Sequence, residues 1–509
     1  MKKTLLNKRT FKQVVIITTF VLVNLLLISL LSKIYYEFNS GADRSKLLHI
    51  DLKNNTYYLP KIKVNYDNVE GRDPNEEIIK NIKKDYLKSW YVKKYALQNN
   101  DYNAIEDFYT DSAQVKIKKI IQFNSKNSIN IRSTSVNHNV TIKFFSEDGQ
   151  VVYLDDKNVE EQTFYYKKKK LIHQEKTLKN YKAILLLEDG FWRVRHIISD
   201  KILLKENETF KTTNKNFKIK GINYYPQKTS WFDFWKKYDS ITVNKDFNII
   251  KKLKLNTVRI FIPYKLFGKE NVSEIYLNHL KNTLDLAKKN NLKVIVTFFD
   301  FYSNYQVLDY TLCDRHLETI INEIKKHPAI LQYDIKNEPD LDFKNYGKEK
   351  VLNWLDFISS RIRIYDQKTP ITIGWSTPEV GHLLKNKMDF ISFHYYKKTI
   401  DFKNAYLNLK KKVNKPIVVQ EFGRHSYNSI WNLYRYSEKK QAKYHKNMQQ
   451  NFHDLNINHF VSWTLYDFPK IDVKIFGKMP HKIGPQKSFG FIDKKGNLKK
   501  AAKYIVTYK

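Results

Sequence analysis

The chain has 509 residues, with 90 Lys and Arg against 52 Asp and Glu, a net charge of +38. Hydrophobic content of 42% and aromatic content of 15% exclude a disordered chain, and the length calls for two domains or more. A single cysteine, Cys313, excludes an intrachain disulfide, and the even spread of Lys, with no compact Arg-rich block, argues against a nucleic-acid partner.

Residues 14–32, VVIITTFVLVNLLLISLLS, form a nearly charge-free apolar run of the length that spans a bilayer as a helix. Lys2, Lys3, Lys8, Arg9 and Lys12 precede it, and only Lys33 follows closely. The excess of positive charge before the run predicts a single-pass membrane anchor with residues 1–13 in the cytoplasm and the rest of the chain outside. A cleaved signal peptide is the rival reading; the run is long for one and no A-x-A site follows it.

Residues 33–73 read as a polar stalk, with NSGADRS at 39–45. The segment 74–200 opens with helical stretches and continues with strand-like NVTIKFFS, EQTFYYKKKK and YKAILLLEDGFWRVRHII. Helices followed by an antiparallel meander predict an α+β domain in which helices pack on a sheet. Trp90, Tyr95, the stretch NNDYNAIEDFYTDSA and the final DGFWRVRHI make this segment resemble the NTF2-like (cystatin-like cone) superfamily. The resemblance implies an accessory unit, able to hold a small ligand, dock a protein partner or form a dimer. Residues 201–216 form a polar linker.

From 217 to 509 short β-branched runs alternate with amphipathic helical patterns. Candidate strands lie at 217–225, 257–262, 293–299, 330–336, 371–375, 389–396, 416–422 and 459–466, with only a small helix expected at 378–386. Eight such units predict a (β/α)8 TIM barrel, whose active site sits at the C-terminal ends of the strands. Polar residues gather at those ends: Arg259, Asn337, Glu338, His394, Tyr396 and Glu421, together with Trp463. Each alone has an ordinary explanation as a strand-end cap, an ion-pair partner or barrel packing. Two glutamates ending strands four and seven are a different matter. Glycosidic cleavage needs two carboxyl groups, one to protonate the leaving oxygen and one to attack or to activate water.

The pieces KGINYYP, LNTVRIF, HPAILQYDIKNEP, FHYY, PIVVQEFG, VSWTLYDF and FGFIDKKGNLKKAA resemble clan A glycoside hydrolases, most closely the cellulase-type family 5, over residues 217–505. The resemblance implies a retaining glycosidase acting on a β-linked oligosaccharide or polysaccharide, with Glu338 as general acid/base and Glu421 as nucleophile. The two carboxyl groups would then stand about 5–5.5 Å apart. Among substrate-binding residues, Arg259 is expected to keep the nucleophile ionised and Asn337 to donate to the sugar 2-hydroxyl. His394 is expected to touch substrate or Glu338, Tyr396 to bond Glu421, and Trp463 to offer its face to a sugar ring. Neither a cofactor nor a metal is expected. Trp231, Trp235 and Trp375 are more distant platform candidates. Many family members carry a histidine near the end of strand three; here the region reads VTFFDFYSNY, with Asp300, Tyr302 or Tyr305 as residues that could reach the cleft. A transglycosylase, or a non-hydrolytic glycan-binding or scaffold protein of the cell envelope, is the alternative function.

Overall fold

The computed structural model describes residues 8–40, 58–202, 217–428, 436–477 and 479–505. Residues 1–7 of the expected tail, 41–57 of the expected stalk and 203–216 of the expected linker lie outside the described residues. The chain divides into two compact units, Met1–Glu206 and Asn207–Lys509.

The first unit begins with a helix, α1 (Lys8–Ser40), whose segment Lys12–Tyr35 is long and apolar enough to cross a membrane and is not buried against the protein. A seven-stranded sheet follows, built from β1 (Lys61–Asn65), β2 (Glu70–Gly71), β3 (Ile129–Ser135), β4 (Asn137–Phe145), β5 (Val151–Lys167), β6 (Lys170–Glu188) and β7 (Phe191–Ile202). The last four form an antiparallel meander. Two helices, α2 (Glu76–Asn99) and α3 (Asp111–Lys126), complete this α+β domain. The Asn75 side chain accepts from the Ile78 N–H at the start of α2, and Asn100 ends it in the left-handed conformation. Trp90 of α2 meets Tyr181 of β6 edge to face at 4.8 Å, and buried Asp85 accepts from the Trp192 N–H at 3.0 Å. These contacts seat the helix on the sheet.

The second unit is a closed parallel barrel of eight strands: β8 (Lys220–Asn223), β9 (Thr257–Pro263), β10 (Lys293–Asp300), β11 (Ile330–Asn337), β12 (Ile371–Trp375), β13 (Ile391–Tyr395), β14 (Ile417–Phe422) and β15 (Phe460–Ser462). Most strand residues are buried, as parallel strands covered on both faces must be. The periodic helical patterns become α6 (Glu274–Lys289), α7 (Tyr310–Ile324) and α9 (Lys348–Tyr365), after two shorter helices, α4 (Phe232–Lys236) and α5 (Ser240–Lys252), and with a one-turn helix, α8 (Phe343–Tyr346). Leu277, Leu280 and Leu284 of α6 and Leu317, Ile320, Ile321 and Ile324 of α7 point inward.

One connection differs from expectation. No α-helix forms at 378–386; the segment holds turns, with Gly381 N–H bonded to Pro378 O and Leu383 N–H to Val380 O, and a 3-10 turn at Lys385–Lys387. Pro378 supplies no N–H, and the segment is too short for more than turns. Several strands are also shorter than their apolar runs. As a result Tyr396 and Trp463 are the first residues beyond β13 and β15, whereas β11 runs one residue further than expected and ends just before Glu338.

Candidate active site

The site is built around one buried cation. Arg259, in the all-buried strand β9, is completely enclosed. Its Nε donates to Thr297 Oγ1 at 2.9 Å and Asp334 Oδ2 at 3.2 Å. Its Nη1 donates to Asn223 Oδ1 at 2.9 Å and Glu421 Oε1 at 2.5 Å. Its Nη2 donates to Asp334 Oδ2 at 2.7 Å and Asn337 Oδ1 at 2.8 Å. One guanidinium thus ties together β8, β10, β11 and β14, a task its planar fork of donors suits. Burial works against its charge, and Asp334 and then Glu421 more than compensate, so its proton is held more tightly than usual.

Gly374 makes this packing possible. A Cβ there would lie 2.6 Å from Gln420 Oε1, 3.0 Å from Arg259 Nη2 and 3.2 Å from Asp334 Oδ2. The missing side chain lets β12 close against the ion pair, and the Gly374 N–H donates to Asp334 Oδ1 at 2.8 Å.

Glu421 is nearly buried. While Arg259 holds its Oε1, its Oε2 accepts from the Tyr396 hydroxyl at 2.7 Å. Burial and the neighbouring Glu421 charge both push the Tyr396 phenol well up, so it stays a donor.

Glu338 takes the left-handed conformation, φ 45° and ψ 51°, which is unfavourable for a residue other than glycine. Pro339 follows at the start of a 3-10 turn, and the Glu338 N–H is satisfied by Gly374 O at 2.7 Å. This turn ends the ladder and leaves the carboxyl part-exposed at the barrel mouth. Its Oε1 meets His394 Nδ1 at 2.8 Å, and the same Nδ1 lies 3.5 Å from Glu421 Oε2. Burial pushes the Glu338 carboxyl up, but the His394 hydrogen bond and charge, helped by Arg259 and Lys336, pull it below its ordinary value. Burial pulls His394 down, and Glu421 and Glu338 together raise it above its ordinary value. Both shifts favour a proton on His394 and a charge on Glu338.

One oxygen each of Glu338 and Glu421 and a ring nitrogen of His394 all lie within 4.8 Å of one another. Three such groups have the count of a metal site. Arg259, bonded to Glu421, already supplies the positive charge a cation would bring.

Both glutamates open onto a cavity of about 480 Å³, with Asn337, Tyr396 and Trp463 on its wall. Asn337 spends its carbonyl on Arg259, leaving its amide N–H groups to donate outward. Trp463 stands edge-on to Tyr225 at 6.4 Å and to Phe261 at 6.3 Å. Arg259 and His394 are not on this wall; they lie behind the carboxylates they contact. Trp231 is on it, whereas Trp235, which donates to Phe261 O at 2.8 Å, and Trp375 belong to the core.

Sequence reasoning missed Asn223, Thr297 and Asp334. Only Asp334 carries a signal, as a charge inside an otherwise apolar strand. Tyr225, Phe261 and the late wall residues Ile475, Phe476, Gln486 and Phe489 were also unmarked.

The model of the family described as Cellulase (glycosyl hydrolase family 5) matches residues 210–468, about half the chain. The chain belongs to glycosyl hydrolase family 5. As a family 5 glycosyl hydrolase it is an O-glycosyl hydrolase, with which a glycan substrate is consistent. No curated protein matches the chain. Among solved structures, the family 5 barrel is similar to the exo-beta-1,4-mannosidase Op5Man5 from Opitutaceae bacterium strain TAV5, at 17% identity and a TM-score of 0.49, over 60% of this chain and 62% of that one. It is also similar to GH5_18 from Streptomyces cattleya in complex with GlcNAc, at 14% identity and a TM-score of 0.45, over 58% and 79%. A third likeness is to a Bacteroides uniformis beta-glucuronidase, at 12% identity and a TM-score of 0.47, over 73% of this chain and 50% of that one.

Proposed function

We propose that the protein is a retaining glycosidase of a β-linked glycan, with Glu421 as nucleophile and Glu338 as general acid/base. The observation that carries this reading is the short gap between the two carboxylates. Oxygens within 4.8 Å suit direct attack on the anomeric carbon and leave little room for the intervening water that inversion requires.

In the first step a Glu421 oxygen bonds the anomeric carbon, and the glycosidic oxygen leaves with a proton from Glu338. His394 helps time that transfer. Glu421 is the largest charge holding the proton on His394. Forming the glycosyl ester consumes that charge, so the His394 proton moves toward Glu338 as Glu338 delivers a proton to the leaving group. In the second step Glu338, now ionised, takes a proton from water, which attacks the ester and regenerates Glu421. Asn337 donates to the 2-hydroxyl, and Trp463 supplies an apolar face for the ring. Proton NMR of the first-formed reducing sugar tests the mechanism: the β-anomer is expected before mutarotation, and the α-anomer refutes retention.

We place this chemistry outside the cytoplasmic membrane, with α1 as a single-pass anchor and residues 1–13 inside. The unburied apolar stretch Lys12–Tyr35 and the lysines and arginine before it support this reading. Protease added to intact cells is expected to digest the barrel; full protection of the barrel overturns the orientation. The segment 74–200 is then an accessory domain between anchor and barrel.

A further inference from the structure

The end of β10 is contorted around a single carboxyl group. The pairing of β10 with β9 shifts register between Thr297 and Asp300. Phe299 (φ 39°) and Phe301 (φ 56°), on either side of Asp300, both occupy the left-handed region that side chains other than glycine seldom adopt. The result is that Asp300 lines the same cavity as Glu338 and Glu421.

Asp300 is only 5% exposed, and its Oδ2 has no hydrogen-bond partner among the described residues. No described cation pairs with it; Lys336 is engaged with Asp342 at 3.2 Å, and Arg259 with Asp334 and Glu421. Burial pushes its carboxyl up to about 7, against the downward pull of Lys336 and Arg259. Its charge acts on Tyr225, another wall residue, and Tyr225 stands beside Trp463. Asp300 is therefore at the sugar-holding side of the cavity. A buried acceptor without a donor is costly, and neither the mechanism nor the packing uses this one.

We propose that Asp300 selects the sugar held against Glu421, its Oδ2 accepting a hydrogen bond from one ring hydroxyl. This rests on the glycosidase reading of the cavity. A carboxylate is the strongest acceptor a side chain offers, and a neutral hydroxyl is the fitting donor. A sugar lacking the hydroxyl, or carrying it on the other face, leaves the carboxyl unpaired and is rejected.

The experiment pairs residue and hydroxyl. The aryl β-glycoside turned over fastest by the wild type is compared with its 2-, 3-, 4- and 6-deoxy analogues, in the wild type, Asp300→Ala and Asp300→Leu. In the wild type, removal of one particular hydroxyl is expected to lower kcat/KM by about 30-fold or more beyond the loss seen in Asp300→Ala. In Asp300→Ala the parent and that analogue should differ by no more than about threefold, because the contact is already gone. Asp300→Leu, close in volume and without an acceptor, reports the same ratio if the alanine variant does not fold. Wild-type discrimination among all four analogues in both variants overturns the assignment, as does the lack of any discrimination by the wild type. Glu421→Gln is measured alongside. If it is inactive while the Asp300 variants discriminate like the wild type, only the Asp300 assignment fails; if it is active, the glycosidase reading fails.

Discussion

Glu421→Gln is expected to lower kcat on an activated aryl β-glycoside by about 10⁵-fold, because the amide keeps the shape but cannot form the glycosyl ester. The substitution also turns one of the two oxygens that accept from Arg259 Nη1 and the Tyr396 hydroxyl into an NH2 donor, and it takes away the negative charge that both donors face. Glu338→Ala should behave differently. An activated phenol leaves without a proton, so the ester still forms, and hydrolysis of the ester becomes slow for want of a base. Azide, which needs no base, should fit the vacated space at the barrel mouth, restore turnover and yield a β-glycosyl azide. Wild-type-like turnover by Glu421→Gln, or a Glu338→Ala variant that azide leaves unchanged, refutes these assignments.

Arg259→Lys is the second large effect. The guanidinium donates to five side chains on four strands, and an ammonium at the end of a flexible stem cannot reproduce that fork. Asp334, fully buried, would be left poorly paired. Breaking such a buried pair costs about 3–5 kcal/mol, and the loosened Glu421 should lose about 10²–10³-fold in kcat/KM. Thermal unfolding followed beside kinetics checks both. An unchanged Tm with unchanged kcat/KM would show that Arg259 neither holds the barrel together nor positions the nucleophile.

Much of this arrangement was legible before any coordinates. Alternating apolar runs and amphipathic helices gave eight strands in order, and the Asn337–Glu338–Pro339 step announced a strand ending at an acid. His394 and Tyr396, two residues apart, fell on one face, and the structure brings them to Glu338 and Glu421 respectively. What stayed hidden depends on closure of the barrel. Nothing local in Asn223 or Thr297 says that they converge on Arg259, since the contacts cross from strand to strand. The ends of β8, β13 and β15 were read a residue or more too long, because apolar residues at the barrel mouth continue the pattern after the ladder has stopped, while β9, β10 and β11 each run one residue further than expected. The loop aromatic Trp231 was indistinguishable from Trp235 in sequence; only one of them reaches the cavity.

The late wall of the cavity, Ile475, Phe476, Gln486 and Phe489, lies beyond residue 468, where the match to the family model ends. The residues that make the chain recognisable and those that shape one side of its binding space are therefore different stretches of polypeptide. Variation in the last forty or so residues can retune which glycan fits while the bond-breaking apparatus stays as it is, so two enzymes with the same hallmark motifs can diverge in diet through their tails.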